Sequence, residues 1–316
     1  MPLNNISFVP EANDVIFIIG PTASGKTKAA IDIAIKVEGK PCSGEIINAD
    51  MAQLYNFAKI GTAMPTQDDF NKVPHHLFAI AGSQKPINAS DYRKLVEKKI
   101  TEIKSRNKIP VIVGGAGFYL KGLFFKLREE SCDWNSGDVE HITWNDLNKI
   151  DPQRASEIHP NDNYRIKRAY AIWKATGVQP SKCKPKFDPV AHGGTVFLIS
   201  PEKTTAAHNI KKRAREMFDL GFIDEVKNMS PEDLGFGIEK GFIGYEEISK
   251  WIDAGENKNK LPELTDEICL RTIQYFKQQN TFIKNLVKKI DESAPGNFDI
   301  KVKRPEEVQP DEPKII

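Results

Sequence analysis

Apolar positions along the chain fall into short runs separated by amphipathic or polar stretches. Four runs, Val15–Ile19, Glu45–Ala49, Ile109–Val113 and Thr195–Ile199, are short, rich in branched residues and bounded by turn formers or charge, the pattern of buried strands. Helical spacing covers Lys28–Ile35, Ala89–Ser105 and Phe118–Leu127 between them. Strands alternating with helices predict an α/β fold with a parallel sheet covered on both faces and ligands at the carboxyl ends of its strands.

The pattern changes between Arg128 and Pro189. Residues Glu129–Asp146 are polar and rich in turn formers, and Pro152–Thr176 reads as helix with a break near His159–Asp162. Asn161 or Asp162 suits the N-cap of the helix that follows, and Gly177 and Pro180 end it. This segment, 128–189, is expected to be a helical insertion between two parts of the core, 1–127 and 190–291. Beyond Thr204 the spacing predicts helices at Ala206–Leu220, Gly244–Ala254 and Glu263–Lys289. The remainder, 292–316, is rich in Pro, Lys, Asp and Glu and is expected to be a loosely ordered tail.

With 316 residues, 40% hydrophobic and 28% charged, the composition is that of a soluble globular protein with one large core and a smaller domain. No apolar run reaches the roughly 20 residues of a membrane helix. The first residues lack a basic region followed by an apolar one, so no secretory signal is read. The 4 cysteines form no C-x-x-C pair, which argues against structural zinc and fits a reducing cytoplasm. Net charge is only +2. Its distribution is more informative. Between Tyr164 and Phe187 stand Arg165, Lys167, Arg168, Lys174, Lys182, Lys184 and Lys186 with no acid, interleaved with Tyr164, Tyr170 and Trp173. Such a face suits an RNA backbone, although a solvated helix surface is the common alternative.

The strongest chemical signal is Gly20-Pro21-Thr22-Ala23-Ser24-Gly25-Lys26-Thr27, between the first apolar run and the first helix. This is the strand–turn–helix context of a phosphate-binding P-loop. Its glycines let the backbone curl so that several N–H groups face one anion. The helix N-terminus and Lys26 add positive charge, and the Thr27 hydroxyl can sit on Mg²⁺. The loop specifies a di- or triphosphate but not its fate. Asp50 follows the second apolar run and could be a Mg²⁺-holding acid of a nucleotide hydrolase or kinase, or a base facing a nucleophile. No acid ends the Ile109–Val113 run, and no N-K-x-D guanine motif is present.

Further blocks lie in order along the chain: Ile47–Tyr55 with Ile60–Thr66, Pro74–Ile80, Pro110–Leu123, Asp151–Ala169 with Thr176-Gly177, Gly221–Val226, Ile243–Tyr245 and Gln274–Gln279. Together with the P-loop they resemble the tRNA dimethylallyltransferase (isopentenyl-diphosphate transferase) family over most of residues 15–285. The resemblance implies a P-loop NTPase-like core. It implies transfer of a dimethylallyl group from dimethylallyl diphosphate to N6 of adenosine 37 in tRNAs reading codons that start with U, with release of diphosphate. The cradle would then hold a leaving group, and the family's ATP-binding label reflects the loop. Asp50 matches the family's catalytic carboxylate and Arg213 its diphosphate-contacting arginine. Lys26 and Mg²⁺ on Thr27 would stabilise the departing charge. Asp50, Met51, Ala52, Gln53 and Ala116 fall at tRNA-binding positions of the family, with Gln53 near the target adenine, where an amide can read a base edge. Tyr164, Arg165, Ile166, Lys167 and Arg168 fall on a tRNA-contacting stretch. His159, His75 and His76 are expected to be structural. The family usually has Ser and Arg where Met51 and Ala52 stand and Thr where Ala116 stands. Gly241, Glu246 and Gln278 also depart from it. A monomer acting on the anticodon stem-loop is expected. A transferase acting on AMP, ADP or ATP, a P-loop small-molecule kinase and a non-catalytic RNA-binding copy are the alternatives.

Overall fold

The structure, a computed structural model, describes residues 15–36, 44–115, 117–125, 139–182, 193–293, 296 and 298–303. The chain divides into two compact units. One comprises Met1–Phe125 and Pro189–Ile316, the other Lys126–Asp188.

The larger unit is built on six parallel strands, β1 (Ile16–Ile19), β2 (Gly44–Asn48), β3 (His75–His76), β4 (Ile109–Gly114), β5 (Gly194–Ile199) and β6 (Phe298–Lys303), in the order β3-β2-β4-β1-β5-β6. The register sets Ile16 beside Val111 and Thr195, and Ile46 beside Val111 and His75. Helix α1 (Lys26–Lys36) covers one face, where Ala30, Ile31 and Ala34 meet Ile16, Ile18, Ile46, Val111, Val113 and Phe197. On the other face Phe17 packs on Phe124 of α4 (Phe118–Phe124), with ring centroids 4.7 Å apart. The apolar runs are continuous because both faces of these strands are covered.

Two strands escaped the hydrophobic pattern. β3 is two residues long and is held by an ionic cluster: Glu45 bonds His76 Nε2 at 2.6 Å and Arg106 Nη2 at 2.7 Å. Burial raises the Glu45 pKa, but the hydrogen bonds from Arg106 and His76 outweigh it and bring the carboxyl below its ordinary range. β6 lies in the segment read as a loose tail, and that expectation is corrected for Phe298–Lys303, which pairs with β5 along its length. Phe298 is the anchor. Its ring joins Phe124 at 5.2 Å and Phe17 at 5.9 Å. One buried aromatic contributes about 1.5–3 kcal/mol, a signal that disappears when averaged over charged neighbours.

Between β2 and β4 lie α2 (Gln67–Lys72) and α3 (Ala89–Ser105), started by Thr66 and Asn88, whose side chains accept the N–H groups of Asp69 and Asp91. The smaller unit contains α5 (Trp144–Ile150), α6 (Pro152–Ser156) and α7 (Asn163–Thr176) around Leu147, Ala155, Ile158, Ile166 and Ala169. α5 begins where the sequence reads as turns, because Trp144 packs inward and donates Nε1–H to the carbonyls of Ala155 and Ile158. Asp162 caps α7 by accepting Arg165 N–H at 3.0 Å, and Gly177 ends it at φ 68°.

After β5 the large unit is helical: α8 (Lys203–Asp219), α9 (Phe222–Lys227), α10 (Pro231–Glu239), α11 (Tyr245–Asp253) and α12 (Leu261–Ser293). α8 and α12 pack through Ala206, Ile210, Ala214, Cys269 and Phe276. No described helix is long and apolar enough to cross a membrane.

Candidate active site

The loops after β1, β2 and β4 converge at the carboxyl end of the sheet, and α8 and α12 face them. The P-loop turn is made by Ala23 (φ 57°) and Gly25 (φ 81°), both left-handed. Ala23 is held there by Asn209, which donates Nδ2–H to its carbonyl at 3.3 Å. Two of the loop's N–H groups are already used. Gly20 N–H bonds the Gly114 carbonyl at 3.2 Å, and Thr22 N–H bonds Gln279 Oε1 at 2.7 Å. The part of the motif that could still face an anion is therefore narrower than the whole loop and runs from Ala23 to Thr27. Ser24 Oγ is buried and has no hydrogen-bond partner among the described residues. A Cβ on Gly20 would lie 2.6 Å from it and 2.8 Å from the Ile199 carbonyl oxygen, and the fixed backbone carbonyl explains the glycine.

Lys26 reaches back to the Pro21 carbonyl at 3.3 Å. Burial lowers its pKa from 10.5 to about 8, with Asp50 acting to raise it and Arg213 to lower it further. The Arg213 pKa is also lowered by burial, against the pull of Asp50 and Glu216. Lys26, Asp50 and Arg213 thus form one interacting charge cluster.

Asp50 is set by a fully buried amide. Asn48 Oδ1 accepts Asp50 N–H at 2.8 Å, and Asn48 Nδ2 donates to the carbonyls of Asp50 and Leu77, each at 3.0 Å. Tyr92 O–H in turn donates to the Asn48 carbonyl at 2.7 Å. The Asp50 carboxylate accepts Ala52 N–H through Oδ1 at 3.1 Å. On α8 the apolar stripe Ala206, Ile210, Ala214 meets α12, which leaves Asn209 and Arg213, four residues apart, toward the P-loop.

Two cavities open on this cluster. The first, about 400 Å³, is lined by the P-loop from Thr22 to Thr27 and by Asp50, Gln53, Met64 and Arg213. The second, about 350 Å³, is lined by Met51, Tyr119, Met217, Phe222, Ile243 and Tyr275, among others. Thr22, Ala23, Asp50, Thr62 and Arg213 line both. The P-loop cavity and a largely apolar one therefore share a wall that carries one carboxylate and one guanidinium.

Two sequence-based assignments change. Gln53 lines the first cavity, but its Nε2 donates to the carbonyls of Thr62 at 2.9 Å and Ala63 at 3.0 Å. It braces a loop, and its amide donors are not free to read a base edge. Ile166 is fully buried in the core of the smaller unit, so its side chain offers nothing to RNA, while Tyr164 is 60% exposed. Its helical neighbours differ because α7 is amphipathic: Arg165 pairs with Asp162 at 3.3 Å and Arg168 donates to Tyr164 Oη at 3.2 Å. Ala116, Lys184 and Lys186 lie outside the described residues. Gln279, Asn48 and Asn209 were missed as site residues; the one available signal was a polar residue amid an apolar run or helix stripe. The histidines have structural partners. His75 Nδ1 bonds the Val73 carbonyl, and His159 Nδ1 accepts Asn161 N–H.

The IPP transferase family model matches residues 53–286. A tRNA dimethylallyltransferase of Petrotoga mobilis is 34% identical over 287 residues, covering 84% of this chain and 91% of that one. One from Geobacter sulfurreducens is 31% identical, covering 90% and 93%. A eukaryotic dimethylallyltransferase captured acting on tRNA superposes with TM-score 0.75 at 26% identity, covering 92% of this chain and 74% of that one. The tRNA isopentenylpyrophosphate transferase of Bacillus halodurans gives 0.59 at 28% identity, covering 92% and 90%. The order of motifs, the parallel sheet beneath them and these matches along most of both chains agree: the chain belongs to the IPP transferase family.

Proposed function

We propose that this protein transfers the dimethylallyl group of dimethylallyl diphosphate to N6 of adenosine 37, beside the tRNA anticodon. The observation that carries the reading is the shared wall between the two cavities, where Asp50 and Arg213 stand. The diphosphate lies on Ala23–Thr27 with its allylic carbon toward Asp50, and the adenine enters through the apolar cavity. The bond from C1 to the diphosphate oxygen breaks, and N6 bonds C1. The N6 proton passes to the Asp50 carboxylate, and the diphosphate leaves with its charge against Lys26 and Arg213. An adenine must leave its stack to reach such a site.

Mg²⁺ fits as a substrate-borne ion. No group of three or more His, Cys, Asp or Glu that could cage a metal occurs among the described residues, and the Thr27 hydroxyl lines the phosphate cavity. Mg²⁺ commonly takes its ligands from substrate phosphates, water and one or two side chains. Bound there by Thr27 and the diphosphate, it would neutralise leaving-group charge. The exposed residues Tyr164 and Arg165, with Lys167 and Arg168, would grip the anticodon stem. In this reading the protein acts as a cytoplasmic monomer.

The test uses labelled dimethylallyl diphosphate with an unmodified A36-A37 anticodon stem-loop, free AMP, or ATP alone. Label in the RNA supports the reading. Label in AMP, or ATP turnover without transfer, replaces it with an adenylate transferase or a kinase.

A further inference from the structure

The one-turn segment that follows the 55–58 stretch is fastened at both ends. At its start Glu225 of α9 accepts three successive backbone N–H groups, from Lys59 at 2.8 Å, Ile60 at 2.7 Å and Gly61 at 3.0 Å. The Tyr245 hydroxyl donates to the same carboxylate at 2.7 Å. Each oxygen takes two donors: Oε2 from Lys59 and Ile60, Oε1 from Gly61 and Tyr245. At its end the turn closes with Met64 N–H on the Lys59 carbonyl and Ala63 N–H on the Ile60 carbonyl, each at 2.9 Å. That is a Schellman closure, and it needs a left-handed residue, here Ala63 at φ 49°. A non-glycine residue persists there only when its surroundings over-determine it.

The carbonyls exposed by this closure face the site. Thr62 and Ala63 accept from Gln53, and Ala63 also accepts Arg213 Nη2 at 3.4 Å. The turn lies flat on two rings: a Cβ on Gly61 would come within 2.3 Å of Phe222 and 2.7 Å of Tyr245. The blocks Ile60–Thr66, Gly221–Val226 and Ile243–Tyr245, far apart in sequence, are therefore one physical unit.

We propose that Glu225 is a positioning residue for Arg213: its carboxylate clamps the 59–64 turn, and the turn's Ala63 carbonyl sets the guanidinium against the shared wall. Glu225 lines neither cavity. A carboxylate is required because both of its oxygens accept. A glutamine would turn an NH₂ toward two donors. The catalytic part of this inference rests on the proposed allyl transfer.

The experiment combines substrate-free hydrogen exchange of residues 58–64 with a double-mutant cycle between Glu225→Ala and Arg213→Ala, read as kcat for transfer to the stem-loop. Expected results are lost protection of the turn in E225A and a fall in kcat of about 10²-fold, with KM for the RNA within about threefold of wild type. Added to R213A, E225A should lower kcat by less than about threefold. Protection equal to wild type, or losses that multiply in the double variant, overturns the proposal. If near-UV circular dichroism shows E225A unfolded, the isosteric E225Q runs the same cycle, with the same outcomes on either side. Wild-type protein that transfers no allyl group sinks the functional reading instead, while the exchange measurement still decides whether Glu225 holds the turn.

Discussion

Lys26 is a P-loop cation whose charge depends on pH within the accessible range. Its fall from 10.5 to about 8 corresponds to about 3 kcal/mol of disfavoured charge, caused first by burial beneath the P-loop and held in check by Asp50. A bound diphosphate favours the protonated form, so anion affinity follows the protonated fraction of the free protein. That fraction is about 90% at pH 7 and about 3% at pH 9.5. The association constant for inorganic diphosphate should therefore drop about 30-fold across this interval. Diphosphate itself also titrates, so the measurement is a ratio: calorimetric affinity of wild type over that of Lys26→Arg, whose guanidinium keeps its charge. The ratio should fall as pH rises through 8. A ratio flat to pH 9.5 would show that Lys26 is not the titrating anion contact. Stability runs with the opposite sign. The unfolded chain holds this proton up to about 10.5, while the folded chain releases it near 8. The Lys26 contribution to stability thus improves between those values.

Asp50→Asn keeps the hydrogen-bonding shape but cannot take the N6 proton, and should cost about 10²–10⁴ in kcat; stem-loop affinity should stay within a few-fold by filter binding, and near-wild-type turnover would remove Asp50 as base. Gly61→Ala drives a methyl into Phe222 and Tyr245 and should cost about 1–3 kcal/mol in urea unfolding, with lowered turnover; unchanged stability would contradict the packing. Lys167→Ala and Arg168→Ala should each weaken stem-loop binding at every sequence tested and reduce the slope of log affinity against log salt by about 1. An unchanged slope places the RNA elsewhere.

Much of the architecture was legible because it is written in local patterns. Continuous apolar runs mark strands covered on both faces, and α3 begins and ends where its periodicity does. The P-loop announces itself because the turn, the helix start and Lys26 must be adjacent in sequence to enclose one anion. Asp50 was readable as an acid at a strand end, although its role as base or metal ligand was not. β6 was hidden because its anchoring contact, Phe298 on Phe17 and Phe124, joins segments more than 170 residues apart.

The sequence by itself indicated a parallel sheet, through strands alternating with helices, the P-loop motif and the family to which the chain belongs, since each is written in the order of residues along the chain. Only the tertiary structure decided which polar groups are spent and which remain available. It tied the Gln53 amide donors to the Thr62 and Ala63 carbonyls, buried Ile166, engaged Thr22 N–H with Gln279 and brought Glu225 to the 59–64 turn. The physical reason is that hydrogen-bonding capacity is finite. A donor's partner is set by distance in space, and residues far apart in the chain compete for it on equal terms with near ones.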